Sequence, residues 1–297
     1  MNKAKLGGFM KVWITGATGL AGRAVTKVLE QSHDVIPTGF SRTGGKVLKV
    51  DLTCEEDIKS FLEEHQPEAV IHLAAERKPD VCDNKQEQTK ALNVAASESL
   101  ARLCKEHNCW LLYFSTDYVF DGQNPPYYPD SNPNPLNFYG ETKLAGEEVV
   151  KVEHPSSCIL RVPVLYGFVE SLDESAVTSI AKGLLKTEAV TTDHWATRFP
   201  TLVDDLGQVI NKMLEKKPSG IYHFSGEEAM TKFEITKIMG DALGKSYEHV
   251  SGSESAPGGA PRPKDCQLDM TKLKDDGFYV KPTSIKSIIA DILREHI

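Results

Sequence analysis

The sequence predicts an α/β protein built on a doubly wound parallel sheet, with a smaller C-terminal unit beside it. Three observations carry this. Through the first half, short apolar runs alternate with amphipathic stretches of helical length. A glycine-rich segment, Gly16 to Gly22, joins the first apolar run to the first amphipathic one. After Tyr166 the character of the sequence changes.

The elements follow in order. Lys11 to Thr15 (KVWIT) reads as a buried strand and Ala21 to Gln31 as a helix. Asp34 to Thr38 and Lys46 to Val50 are strands, Glu55 to His65 is helical, and Ala69 to Leu73 (AVIHL) is a strand. One long helix is expected over Thr89 to His107, then the strand Trp110 to Ser115, the helix Tyr139 to Val150 and the strand Cys158 to Val162. Strands joined by helices of this length form a parallel sheet. Further on, Thr197 to Leu202 reads as loop, Asp204 to Glu215 as helix and Gly220 to Phe224 as strand. Thr231 to Leu243 is a helix capped at Thr231 three residues before Glu234. Ser251 to Pro263, rich in Ser, Gly and Pro, reads as loop. Residues 10–165 with about 198–226 are expected to form the first unit, and about 166–197 with 227–297 the smaller one.

Composition narrows the class. At 40% hydrophobic and 26% charged, the 297 residues are ordinary for a soluble domain, and a net charge of -8 argues against nucleic acid as the main partner. The longest apolar run, Cys109 to Phe114, is too short to span a bilayer. Met1 to Phe9 lacks the apolar core of a signal peptide and reads as an alternative start or a cloning remnant. The six cysteines form no CxxC pair and no zinc spacing, and no carboxylate pair demands a metal. They read as free thiols in a reducing compartment, hence a cytoplasmic protein.

The chemistry begins at Gly16-Ala17-Thr18-Gly19-Leu20-Ala21-Gly22, a GxxGxxG turn between strand and helix. The first glycine allows a tight turn, the second a close approach to a pyrophosphate, and the third close helix–strand packing. The helix N-terminus then offers N–H groups and partial positive charge to the phosphates. This is the signature of a Rossmann-type dinucleotide site. An NAD site would carry an acidic residue at the tip of the second strand. Here the tip is Gly39-Phe40-Ser41-Arg42, and Ser41 with Arg42 suits a 2′-phosphate. The expected cofactor is NADP(H), with NAD(H) as the alternative; Arg42 could instead be a solvated loop charge.

Tyr139 and Lys143, four residues apart on a helix, share one face. A lysine ammonium there would lower the tyrosine pKa from about 10 toward neutrality. Lys143 could also hold the nicotinamide ribose. Thr116, at a strand end, could bind a carbonyl to which Tyr139 gives a proton. His72 reads as a packed core histidine rather than a ligand. Arg198 could pair with a phosphate or carboxylate, or brace its own loop. Asp117 and Asp121 read as loop caps.

Together these residues resemble an extended short-chain dehydrogenase/reductase. The segment Ser115-Thr116-Asp117-Tyr118-Val119-Phe120-Asp121-Gly122, the stretch Pro135 to Glu147, and the late Arg262-Pro263, Leu268-Asp269 and Lys272-Leu273 are similar to dTDP-4-dehydrorhamnose reductases. Ala74 to Val81, Glu174 to Thr178 and Asp193 to Thr201 are more similar to the regulatory beta subunits of methionine adenosyltransferase, non-catalytic relatives of those reductases. That resemblance implies NADP(H) held by Thr18, Gly19, Leu20, Ala21, Phe40, Ser41, Arg42, Asp51, Leu52, Leu73, Arg77, Tyr139 and Leu165. Gly16, Gly22, Ala74, Ala75, Asn93 and Lys143 complete the candidate set. It further implies association with a methionine adenosyltransferase catalytic subunit. The alternative is an NADPH-dependent reductase of a 4-keto sugar nucleotide using Thr116, Tyr139 and Lys143. A redox-sensing NADPH binder with an unrelated partner is the third reading.

Overall fold

The computed structural model describes residues 8–256 and 258–297. The reading of the segment before Met10 therefore falls almost wholly outside the described residues. Strand β1 (Lys11–Thr15) leads into α1 (Leu20–Leu29), β2 (Asp34–Gly39), β3 (Leu48–Lys49), α2 (Glu55–His65) and β4 (Ala69–His72). Then come α3 (Pro79–Asn84), α4 (Gln86–Lys90), a π-turn at Ala91–Ala95, α5 (Ala96–Glu106), β5 (Trp110–Thr116), α6 (Phe138–Glu153) and β6 (Cys158–Val162). The remainder holds β7 (Leu165–Tyr166), α7 (Ala181–Leu184), β8 (Val190–Asp193), β9 (Thr201–Leu202), α8 (Val203–Lys216) and β10 (Gly220–His223). After these come α9 (Lys232–Leu243), β11 (Val250–Ser253), α10 (Thr271–Asp275) and α11 (Ile285–Leu293).

Among the described residues seven strands form one sheet in the order β10-β6-β5-β4-β1-β2-β3, every pair parallel. The reversal of winding between β1 and β4 opens a crevice at the carboxyl ends of the strands. Strand β1 is buried along nearly its whole length because both sheet faces are covered. On one face, α1 and α8 pack Val25, Leu29, Leu206, Ile210 and Met213 against Val12 and Ile14. On the other, α2 and α5 pack Phe61, Leu62, Leu100 and Cys104 against Trp13 and Val70. A smaller core gathers Tyr166, Leu172 and Val177 with Ile235, Met239, Ile285 and Ile289. Between α9 and α11 of this core the chain returns to the sheet, where Met270, Leu273 and Phe278 join the sheet core. No helix among the described residues is long and apolar enough to cross a membrane, and the cysteines there are free thiols.

Three expectations need correction. The helix expected over Thr89–His107 starts earlier and is broken by the π-turn. That turn aims Asn93, whose amide accepts from Glu76 N at 2.9 Å and donates to Glu76 O at 3.0 Å. The segment read as loop from Ser251 begins inside strand β11, which pairs with β8. Gly252 permits that contact, since a Cβ there would lie 2.8 Å from the Cβ of His194. Thr201 and Leu202, also read as loop, pair with β7. The cap at Thr231 forms as expected, its hydroxyl accepting from Glu234 N and the Glu234 carboxylate accepting from Thr231 N.

Candidate functional site

A cavity of about 920 Å³ lies over the carboxyl ends of the central strands, on the winding reversal. The volume falls within the range of sites that enclose a large organic ligand. Its wall begins with the glycine turn. Gly16 has φ +67°, and a Cβ there would lie 2.8 Å from Ala74 N, so the chain leaving strand β4 passes against a bare backbone. A Cβ on Gly22 would strike Gly16 O and lie 2.6 Å from the Cα of Ala17. At Gly19 a Cβ would meet only Gly16 O, at 3.4 Å. The first and third glycines are thus required by packing, and the second leaves the turn open on its cavity side. The first turn of α1 lines this wall through Leu20, Ala21 and Gly22.

Of the residues singled out from sequence, Gly16, Thr18 to Gly22, Phe40, Arg42, Asp51, Leu52, Leu73, Ala74, Ala75, Arg77, Thr116, Tyr139, Lys143 and Leu165 all line this cavity. Ser41 is exposed beside it, and Asn93 lies beneath it, holding the backbone of Glu76 and the hydroxyl of Thr142. At the tip of β2, Arg42 donates to Glu170 at 2.8 Å.

The Thr116, Tyr139 and Lys143 side chains converge on one side of the cavity. Asn137 caps α6 by accepting from Gly140 N at 2.9 Å, which sets Tyr139 at the start of the helix. Thr116 ends β5, donates to Asp117 at 3.1 Å and accepts from Tyr118 N. Lys143 is buried, its ammonium 4.0 Å from the centre of the Tyr113 ring. Beneath them Glu147 accepts from Ser115 at 2.5 Å and from Arg161 at 2.8 and 2.6 Å, with both charged partners fully buried.

Here the electrostatics reverse one expectation. Burial pushes the Tyr139 phenol above its ordinary value rather than below it. The same desolvation brings Lys143 down to about 7, partly opposed by Glu147. The lysine therefore spends its charge against burial and does not draw the phenol down. Burial also raises Asp117 to about 7, against the pull of Arg198. His72 is a core histidine, bonded to Thr15 at 2.8 Å and Ser97 at 3.1 Å, and Asp121 caps its loop by accepting from Gln123 N. Arg198 braces its own loop by donating to Thr197 O at 3.1 Å and also lines the cavity.

The sequence reading missed Glu170, and it noted Glu174 only for its resemblance to the beta subunits, not for a place in the site. They lie on the segment after β7, which crosses the cavity, and their partners Arg42 and Arg23 stand 128 and 151 residues away. It also missed Lys232, which shares the cavity lining with Arg198 and Arg262. Burial, then these two neighbouring cations, lower its pKa. No local spacing marks such residues; only the return of the chain brings them to the site.

A family model described as the RmlD substrate binding domain matches residues 10–296. A Xenopus tropicalis protein named methionine adenosyltransferase 2 subunit beta is 45% identical over 273 residues, 89% of this chain and 82% of that one. Its Danio rerio namesake is 39% identical over 96% of this chain and 90% of its own. The crystal structure of dTDP-4-dehydrorhamnose reductase from Bacillus anthracis, in complex with NADP, superposes with a TM-score of 0.84. It is 27% identical and covers 98% of this chain and 100% of its own.

Proposed function

The chain belongs to the RmlD substrate binding domain family and to the family of the methionine adenosyltransferase 2 beta subunits, and from that premise we propose that it is an NADP(H)-binding regulatory subunit of methionine adenosyltransferase that modulates S-adenosylmethionine synthesis. The observation that carries the reading is identity of 45% sustained over 89% of the chain with a protein of that name. The cavity supports the cofactor part. Its bare-backbone turn, the adjoining start of α1 and the cation at the tip of β2 suit a dinucleotide diphosphate and a 2′-phosphate. Gly16, Thr18 to Gly22 and Arg42 would hold the phosphates, with NAD(H) as the weaker alternative. Asp51, Leu52, Leu73 to Ala75 and Arg77 would flank the nucleotide, and Tyr139, Lys143 and Leu165 its nicotinamide end. In this reading residues 10–165 with about 198–226 form the nucleotide unit, and about 166–197 with 227–297 the partner unit, apart from Met270, Leu273 and Phe278, which pack in the sheet core. The free thiols favour the cytoplasm.

The test is co-purification with the methionine adenosyltransferase catalytic subunit of the same organism, with and without NADP, followed by assay of S-adenosylmethionine formation. A stable complex with altered kinetics is expected. No association and no kinetic change would sink the reading.

A second reading has one observation in its favour: Thr116, Tyr139 and Lys143 line a single cavity. The bound dinucleotide would supply hydride to a 4-keto sugar nucleotide. Thr116 would hold the carbonyl, Tyr139, kept protonated by burial, would donate the proton, and Lys143 would hold the ribose. NADPH oxidation by such a substrate, abolished in Tyr139→Phe, would establish it.

A further inference from the structure

The segment that follows β7 is tied across the cavity by its two glutamates, and the two ties differ. Glu174 is largely buried, at 11% side-chain exposure, and receives both terminal nitrogens of Arg23 at 2.6 and 2.7 Å. Its carboxylate also accepts from Glu170 N at 2.9 Å, and its carbonyl accepts from Arg77 at 2.5 Å. A paired, bidentate, desolvated carboxylate of this kind is a fixed anchor. Glu170 is different. Its carboxylate is 61% exposed, 2.8 Å from Arg42 and 3.5 Å from Arg23, and Arg42 is itself 54% exposed. An exposed pair of this kind is weak and readily exchanged.

The place where this exchange would occur is also defined. Beside the main cavity lies an open recess of about 250 Å³, lined by Thr18, Arg23, Arg42, Thr43 and Glu170 among others. It holds two cations and one carboxylate at the tip of β2. A phosphate entering there meets the cations it needs and a carboxylate already pairing with both, more closely with Arg42.

We propose that Glu170 is a cofactor-specificity residue: its carboxylate occupies Arg42 in competition with the 2′-phosphate of NADP(H), while NAD(H) leaves the Glu170–Arg42 pair intact. The proposal rests on the NADP(H) reading above. Glu170 lowers the preference for the phosphorylated cofactor that Arg42 creates, and Glu174 keeps the segment in place when Glu170 lets go. Binding of NADP(H), and not of NAD(H), therefore unfastens one of the two ties across the cavity.

The test is equilibrium titration of the whole protein with NADPH and with NADH, read by nicotinamide fluorescence, in the wild type, Glu170→Gln, Arg42→Ala and the double variant. Removing the competing charge is expected to tighten NADPH binding about three- to tenfold and to leave NADH within about twofold. In the Arg42→Ala background the effect of Glu170→Gln on NADPH should shrink to within about twofold, since only the longer Arg23–Glu170 contact remains. Unchanged NADPH affinity in Glu170→Gln, or equal tightening of both cofactors, overturns the proposal while leaving the cofactor reading intact. If neither the wild type nor Glu170→Gln binds NADPH, the cofactor reading itself falls, and the proposal with it.

Discussion

Arg161 and Glu147 are a charged pair sealed from water, 1% and 0% exposed, directly beneath the converging Thr116, Tyr139 and Lys143. Their worth lies in mutual satisfaction. Two charges taken out of water cost several kcal/mol each, and only good geometry repays this. Here the geometry is a bidentate fork, with Ser115 donating to the same carboxylate. Arg161→Met would strand a buried anion and is expected to cost about 3–5 kcal/mol in urea unfolding, whereas Arg161→Met with Glu147→Leu should recover most of that loss. A double variant as unstable as the single one would show that the pair contributes more than charge compensation. The same residues show what could be read in advance. Thr116, Tyr139 and Lys143 were legible because their types and spacing imply proton chemistry. Glu147 closes the reductase-like stretch and Arg161 lies on the following strand β6, and nothing in their own neighbourhood reveals that they meet.

At the scale of elements, the glycine turn is the clearest case of local sequence dictating local shape. Gly16 must adopt a left-handed backbone and Gly22 must admit the turn itself. Gly22→Ala is expected to destabilise the fold by about 1–3 kcal/mol through overpacking, and to weaken nucleotide binding as the turn shifts. Thermal unfolding and NADPH titration of the same variant check both, and an unchanged melting temperature would contradict the packing argument. Strands such as Lys11–Thr15 and Cys158–Val162 were equally legible, since burial on both faces demands a mainly apolar run, which Arg161 interrupts in the second. Strand β11 was not. Its Ser and Gly residues look like loop, and only the approach of β8 makes a small side chain there an advantage. The π-turn was hidden for the opposite reason: Ala91, Leu92 and Ala95 are good helix formers, and the irregularity follows from what Asn93 must reach.

For the whole molecule, the buried titratable groups set the response to pH. His72 and His223 are held neutral by desolvation, each at about 3, with Lys143 and Arg161 respectively adding repulsion. The unfolded chain binds protons at these histidines between about 6.5 and 3 and the native chain does not, so their contribution is complete above about 6.5 and is lost as pH falls. Asp117, raised to about 7, works the other way and gains from acidification. The useful readout is therefore a difference between proteins. Between pH 7.5 and 5, His72→Asn is expected to remove about 2 kcal/mol of the acid-dependent loss seen in urea unfolding. Parallel stability curves for wild type and variant would refute the assignment.

The sequence by itself determined the sheet, its parallel winding, the glycine turn and the residue types on one wall of the site. These depend on periodicity and on backbone freedom, which act over a few residues. The tertiary structure alone decided most of the opposite wall: Glu170, Glu174, Lys232 and Arg262 join Arg198 at the cavity from chain segments that return after β6. It also decided the ionisation of Tyr139 and Lys143, because desolvation depends on everything packed around a group and not on its neighbours in sequence.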